Sequence, residues 1–374
     1  MQKSLRRLTQ TLGKDTFFLI LFAGLVLLSA FAPGRIATYG TLVDWPTIAA
    51  LTGLLLLTKG LEVSGGLHWV GQLVIARMAT QRTAALLLVA AAALLSTMLT
   101  NDVALFVVVP LTLGVCRVTK IPATKLVVFE ALAVNAGSAF TPIGNPQNLF
   151  LWQLSKVSFG AFMWQMLPLV ALLMLGLLIL TALTFASVPI QARHATRSST
   201  LDRPLLGVSV TLYLPFLIAT EMHHGSVAAL LVLALFLLLR PRVLAQLDWG
   251  LLLVFVLMFI DLRLLAGLEL IRKTIDGLEL NNLRHLYFAA IGLSQVISNV
   301  PAAIALAEFS KDWRVIAYGV NIGGFGLMVG SLANLIALRL CGDRKAWICF
   351  HAYSVPALVA AALVGYVILF IVPG

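Results

Sequence analysis

The sequence predicts an all-α polytopic membrane protein, an inverted repeat with two re-entrant hairpins and two broken helices, making about nine full crossings plus the hairpins. Three observations predict it. Of 374 residues, 60% are apolar and 11% charged, against roughly 45–50% and about 25% in a soluble domain. The mean hydropathy is +1.01. That surplus cannot be hidden from water, which excludes a soluble enzyme, a disordered chain and a collagen. Three cysteines build no disulfide scaffold. Apolar runs of spanning length recur along the chain. Two of the interrupted runs also match each other residue by residue.

A spanning helix takes about 20 mostly apolar residues. Phe17–Ala32, Pro46–Gly60, Phe162–Val188, Leu205–Thr220, Gly225–Leu239, Trp249–Leu265 and Cys349–Val372 read as spans. Gly225–Leu239 is thin, with Arg240 and Arg242 snorkelling at its end. The basic start Met1–Lys14 leads into the first span with no small-residue cleavage site after it. Residues 83–113 and 285–309 read as hairpins, with Thr100-Asn101-Asp102 at one tip and Ser298-Asn299-Val300 at the other. Residues 127–152 and 315–340 read as broken helices. Leu61–Met78 and Leu268–Leu280 read as interfacial amphipathic helices.

If each hairpin returns to the side it entered, the chain starts in the cytoplasm and ends in the periplasm of a bacterial inner membrane. Most of the 26 Lys and Arg then lie inside, as the positive-inside rule requires. The net charge of +11 is accounted for in this way without nucleic acid. All three cysteines fall on or near the reducing side.

The repeat divides the chain into residues 1–190, a cytoplasmic linker 191–204, and residues 205–374. At a shift of 186 residues, Ala131, Val134, Asn135, Gly137, Gly144, Asn148 and Leu149 match Ala317, Val320, Asn321, Gly323, Gly330, Asn334 and Leu335. Upstream, Asp44-Trp45 pairs with Asp248-Trp249, and Thr100-Asn101 with Ser298-Asn299. Five crossings separate the two Asp-Trp pairs, about the same point in each copy. An odd number inserts the halves upside down. Inverted repeats with broken helices at matching places mark a secondary transporter whose site lies between the breaks.

Unwound backbone survives in hydrocarbon only where it is buried or lines a cavity. Thr141–Asn148 holds two prolines and a glycine, so no helix passes through it; Asn145 reads as a cap with Pro146 first in the next helix. Thr100 and Ser298 read as caps of the returning hairpin helices. Helix N-termini after Asn101, Pro146, Asn299 and Ser331 offer partial positive charge to an anion. Freed carbonyls and Asn oxygens are hard ligands for sodium. The candidate site therefore takes Ser96, Thr100, Asn101 and Asp102 from the first hairpin, and Asn135, Gly137, Ser138, Thr141, Gly144, Asn145 and Asn148 from the first break. It takes Ser294, Ser298 and Asn299 from the second hairpin, and Asn321, Gly323, Gly324, Gly330, Ser331 and Asn334 from the second break.

A charge near the bilayer centre costs about 2.5–3.5 kcal/mol on insertion scales, so intramembrane acids draw attention. Asp102 reads as a cation ligand, a proton carrier or a cap. Asp261 with Arg263, near the outer end of its span, reads as a structural pair or as snorkelling, and Glu130 and Lys59, near the inner face, as interfacial. Outside the coupling ion no metal is expected, though Glu221, His223 and His224 cluster in one outer loop. No P-loop, zinc or G-x-S-x-G pattern occurs, so no enzyme is expected.

Residues 95–112, 129–148, 292–301 and 323–339 together resemble the ion transporter superfamily of arsenite/antimonite exporters, sodium/proton antiporters, citrate carriers and divalent anion:sodium symporters. The resemblance covers nearly the whole chain. It implies elevator-type alternating access, often in a homodimer. Asn101 and Asn299 match the hairpin-tip asparagines that hold cations in the symporters, and Gly137–Asn148 and Gly323–Asn334 match their unwound segments. The symporters carry Ser-Asn-Thr at both tips; Thr-Asn-Asp here moves the first site toward cation or proton handling. The expected function is transport of a small anion with sodium or protons, without a cofactor. The alternatives are arsenite-type efflux, sodium/proton antiport and a passive channel.

Overall fold

The computed structural model describes residues 16–31, 33–75, 78–119, 121–190, 201–343 and 345–372. The basic start at 1–14 and most of the linker, 191–200, lie outside them. Among the described residues there is no β-strand; Thr80 and Pro189 form an isolated antiparallel bridge.

The first half contributes α1 (Thr16–Phe31), α2 (Trp45–Val63), α3 (Gly66–Ile75), α4 (Gln81–Met98), α5 (Asn101–Thr119), α6 (Ala123–Ser138), α7 (Pro146–Ser155) and α8 (Phe159–Thr184). The second contributes α9 (Arg203–Glu221), α10 (Gly225–Leu239), α11 (Trp249–Ala266), α12 (Glu269–Asp276), α13 (Leu283–Ile297), α14 (Asn299–Ala307), α15 (Trp313–Gly323), α16 (Leu332–Cys341) and α17 (Ala346–Phe370).

The two Asp-Trp pairs build the same local device. Asp44 accepts from the Thr47 amide at 3.0 Å, and Asp248 from the Leu251 amide at 3.0 Å. The indole nitrogens of Trp45 and Trp249 reach back to the carbonyls of Gly40 and Leu244, at 2.8 and 3.0 Å. Each carboxylate satisfies an orphan helical donor; each indole ties the incoming chain to the helix start.

Six helices, α2, α4, α8, α9, α11 and α17, are long and apolar enough to cross a membrane. At 16 and 15 residues, α1 and α10 are shorter than the usual span of about 20. α4, read from sequence as one limb of a re-entrant hairpin, has 18 residues and is about 27 Å long. Tyr213, near the middle of α9, donates to the Met98 carbonyl at the hairpin tip, so this tip lies within the width of the scaffold helices.

Packing follows an exchange rule. α4 lies on α6 as α13 lies on α15, and the hairpin pairs α4–α5 and α13–α14 correspond. Across the halves, α6 packs on α16 and α15 on α7; α5 packs on α16 and α14 on α7. In the surrounding frame, α10 packs on α2 and α1 on α11. In these cross-half and frame pairs each partner belongs to the other half.

Two acids depart from the sequence reading. Arg263 does not pair with Asp261: its Nε meets Glu308 at 2.8 Å and its Nη1 the Leu42 carbonyl at 2.6 Å. Residues two apart on a helix do not face each other, and Asp261 turns toward Gly24 of α1. Glu130 is not interfacial but fully buried, because α6 is enclosed on all sides by its neighbours. Lys59 pairs with Glu62 at 2.7 Å.

Candidate functional site

Each broken helix stops and restarts by the same chemistry. α6 ends at Ser138 and α7 begins at Pro146, with Asn145 Oδ1 accepting from the Asn148 amide at 2.8 Å. α15 ends at Gly323 and α16 begins at Leu332, with Ser331 Oγ accepting from the Ala333 amide at 3.3 Å. Asn145 and Ser331 share an extended backbone, φ −150° and −147°.

Where the breaks cross, asparagines hold the two halves together. Asn135 Nδ2 donates to Asn334 Oδ1 at 2.8 Å, and Asn321 Nδ2 donates to Asn148 Oδ1 at 2.7 Å. The repeat shift exchanges these two bonds. Asn334 also donates to the Gly324 carbonyl at 2.9 Å, as Asn148 does to the equivalent Ser138 carbonyl at 3.3 Å. Asn145 Nδ2 adds Asn321 Oδ1 at 2.9 Å and Ser138 Oγ at 3.2 Å. All five asparagines are buried, so the unwound backbone finds its donors inside the protein, as a non-aqueous setting demands.

The hairpins press against these breaks. A Cβ on Gly137 would lie 2.2 Å from the Ala93 carbonyl oxygen and 2.6 Å from Ser96 Oγ; one on Gly323 would lie 2.7 Å from Ser294 Oγ. Only glycine permits that approach. Ser96 and Ser294 donate back to the carbonyls of Ala93 and Ala290, at 2.8 and 2.7 Å. Gly144 lies against Ser96, and Gly330 against Gln295. The Thr141 hydroxyl bonds the Thr97 carbonyl.

At the tips, the capping expectation fails. α5 and α14 do begin at Asn101 and Asn299, but Ser298 makes no capping bond. Its φ of 74° and ψ of 159° leave the backbone conformation that caps use, and its hydroxyl reaches Asn299 Oδ1 at only 3.4 Å. At the first tip, Thr100 and Asn101 are 4% and 6% exposed, yet Thr100 Oγ1 and Asn101 Oδ1 have no hydrogen-bond partner. A buried oxygen left so costs about 1–3 kcal/mol. Oxygens of this kind, on two consecutive residues, are the donors a hard cation takes. Asp102 follows them half-buried, within electrostatic reach of Asp248 on the frame; it does not join the asparagine network.

Sequence reasoning missed three contributors. Gln295 Nε2 donates to the Gly323 carbonyl and its Oε1 accepts from the Leu327 amide, both at 2.7 Å. Its place one turn before the Ser-Asn tip was the available signal. Tyr213 carried none, because it arrives from a distant helix. His351 accepts from the Met328 amide at 3.2 Å. Among the described residues no group of His, Cys, Asp and Glu is arranged to hold a metal; Glu221 instead accepts from the Phe159 amide at 3.1 Å.

Known proteins are similar to this chain. A family model described as Citrate transporter matches residues 8–314. The chain is 46% identical over 364 residues to inner membrane protein YbiR of Escherichia coli, covering 97% of this chain and 98% of that one. An uncharacterized transporter of Methanocaldococcus jannaschii is 32% identical over 333 residues, 87% of this chain and 90% of its own. A silicon efflux transporter of Oryza sativa is 31% identical over 126 residues, 34% of this chain and 26% of its own. With the family match spanning both hairpins and the first break, the chain belongs to the family described as Citrate transporter, and is a membrane transport protein rather than an enzyme.

Proposed function

We propose that this protein is an ion-coupled secondary active transporter of the bacterial inner membrane, moving a small anion with sodium or protons by elevator-type alternating access. The observation that carries the reading is the crossing of two broken helices beside a hairpin tip whose Thr100 and Asn101 oxygens lack partners. Four helix N-termini, of α5, α7, α14 and α16, begin at these tips and breaks and favour an anion. The loops at residues 139–145 and 324–331 carry no Lys or Arg, so a co-bound cation is what balances the anion's charge. The exchange of packing partners supports two oppositely inserted halves, 1–190 and 205–374, joined at 191–204. The charge distribution supports a cytoplasmic N-terminus and a periplasmic C-terminus. A homodimer embedded in lipid, with no nucleic-acid partner, completes the proposal.

Efflux of a small metalloid hydroxide is a second reading. The same lack of a fixed cation at the breaks suits an uncharged solute, and a relative is named a silicon efflux transporter.

Proteoliposomes offered citrate, arsenite or silicate, with and without a sodium or pH gradient, test both. Accumulation that collapses with a sodium or proton ionophore is the expected result. Flux that saturates with no probe and ignores both gradients replaces the transporter by a channel. Asn101→Ala removes an oxygen that bonds nothing within the protein, so it is expected to fold as the wild type does and to lose accumulation. Wild-type uptake by that variant takes Asn101 out of the mechanism.

A further inference from the structure

Glu130 occupies a place where the fold does not need an acid. It lies on α6, in the half of the first broken helix that packs on α4, α5, α8, α16 and α17. Its side chain is 0% exposed. Oε1 accepts from the Thr112 hydroxyl of α5, and Oε2 has no partner. At the shift that aligns Asn135 with Asn321, its counterpart is Ile316, also 0% exposed. An apolar side chain fills the equivalent position, so packing alone does not explain the carboxyl group.

Among the described residues no counter-charge forms an ion pair with it. From α5 come Thr112 and the Cys116 thiol, which lies within electrostatic reach, with Arg117 in the last turn. α16 carries Arg339 and Cys341 in its last turn, and α17 carries Cys349, His351 and Tyr353, the last ring lying against neighbouring Phe129 at 4.9 Å. α4 carries only Arg82, bound at its start to the Phe185 carbonyl at 3.0 Å, and α8 carries no ionisable side chain. Glu130 makes no ion pair with any of these. A buried carboxyl with one neutral hydroxyl donor and no counter-charge is favoured neutral rather than charged.

We propose that Glu130 is a proton-binding site for coupled transport, distinct from the asparagine-lined crossing and from Asp102. This deepens the ion-coupled reading above and rests on it. A proton from water on one side adds to the Glu130 carboxylate, leaving a neutral carboxyl in the packed conformation described here. It leaves from the same group to water in the conformation open to the other side. Asn135, at the crossing, lies five residues further along α6, about 7.5 Å along its axis. An ionised Glu130 places uncompensated negative charge on the helix that ends in the break, which a cation in the break relieves; proton and sodium therefore compete.

Infrared spectroscopy of the reconstituted full chain, scanned over about pH 5 to 10, tests this directly. A protonated-carboxyl band is expected at neutral pH, lost reversibly as pH rises, shifted to lower pH by sodium chloride, and absent from Glu130→Gln. Glu130→Ile, which copies the residue in the other half, is expected to insert and unfold as the wild type does. With whichever of citrate, arsenite or silicate the wild type accumulates, Glu130→Gln is expected to keep exchange at equal pH and to lose proton-driven accumulation. A wild-type spectrum with no band assignable to Glu130, or a band unmoved over the whole range, overturns the proposal. So does an unchanged pH profile in Glu130→Gln. A wild type that shows no gradient-driven flux with any probe sinks the transport reading instead, so the two failures are distinguishable.

Discussion

The two hairpin-and-break modules make the same contacts with different side chains. In the first, the tip carries the unpartnered Thr100 and Asn101 oxygens, the loop is tied down by Thr141, and Tyr213 of the frame reaches the tip carbonyl of Met98. In the second, Gln295 braces the loop from both ends of its amide and Ser298 carries a left-handed backbone. The asparagine bonds Asn135–Asn334 and Asn148–Asn321 are indifferent to which module is which. The symmetric part is therefore the frame of the site. The asymmetric part is open oxygens on one side and a braced tip with positive φ on the other.

The sharpest way to break that division is to attack the symmetric bonds. Asn148 Nδ2 faces the carbonyls of Ser138, Ala139 and Thr141 at 3.1–3.3 Å, and its Oδ1 takes the Asn321 amide. Asn148→Ala strands several buried groups at about 1–3 kcal/mol each, so a loss of at least about 3 kcal/mol is expected in reversible unfolding in micelles. Asn321→Ala, cutting the same bond from the other side, is expected to match it closely, and the double variant to cost much less than the sum. Additive losses from the two would mean that the crossing is not one cooperative unit.

How far this could be seen beforehand depends on the kind of signal. The breaks were legible because Pro142, Gly144 and Pro146 forbid helix within a few residues, and because Asn135 and Asn321 recur at one spacing. The cap at Asn145 and the helix start after Ser331 were read from local chemistry, and the capping bond of Ser331 itself came only with the structure. Contacts between distant helices leave no such trace. Pairing Arg263 with Asp261 used proximity in sequence, whereas Glu308 approaches from the far end of α14. Placing Glu130 at the interface used its distance from a span end, and burial by five neighbouring helices is not written in that distance. Ser298 failed as a cap because a residue type announces capping capacity but not the φ at which it is held.

That φ gives a smaller test of the same comparison. A non-glycine residue in this region stores of the order of 1–3 kcal/mol, and glycine releases it at some entropic cost to the unfolded state. Ser298→Gly is expected to leave stability unchanged or raise it by up to about 1 kcal/mol. Thr100→Gly, at a tip without positive φ, is expected to lower it by about 0.5–1 kcal/mol. Equal effects of the two in thermal unfolding would erase the claimed difference between the tips.

The smallest effect lies where the modules close at their ends. The start of α6 meets the end of α16 through Thr124 Oγ1 donating to Asp343 Oδ2 at 2.5 Å, while Asp343 Oδ1 accepts from the Lys345 amide at 2.9 Å. At the counterpart end, the start of α15 meets the start of α8 by aromatic packing, with Trp313 stacked on Phe162 at 5.1 Å just past the end of α7. The Thr124 and Lys345 donors hold the Asp343 carboxyl below its usual 3.8. A depressed acid contributes its stability above the unfolded value and loses it as pH falls through the folded one. Acidification below about pH 4 is therefore expected to speed amide exchange at the end of α16 slightly, and to leave the end of α7 unaffected. Thr124→Val should produce part of the same local change at neutral pH and leave a smaller further change in acid, because the Lys345 amide still holds Asp343. Because Asp343 is fully solvent-exposed the change is small, and parallel acceleration at both ends would mean that acid loosens the crossing itself rather than this one closure.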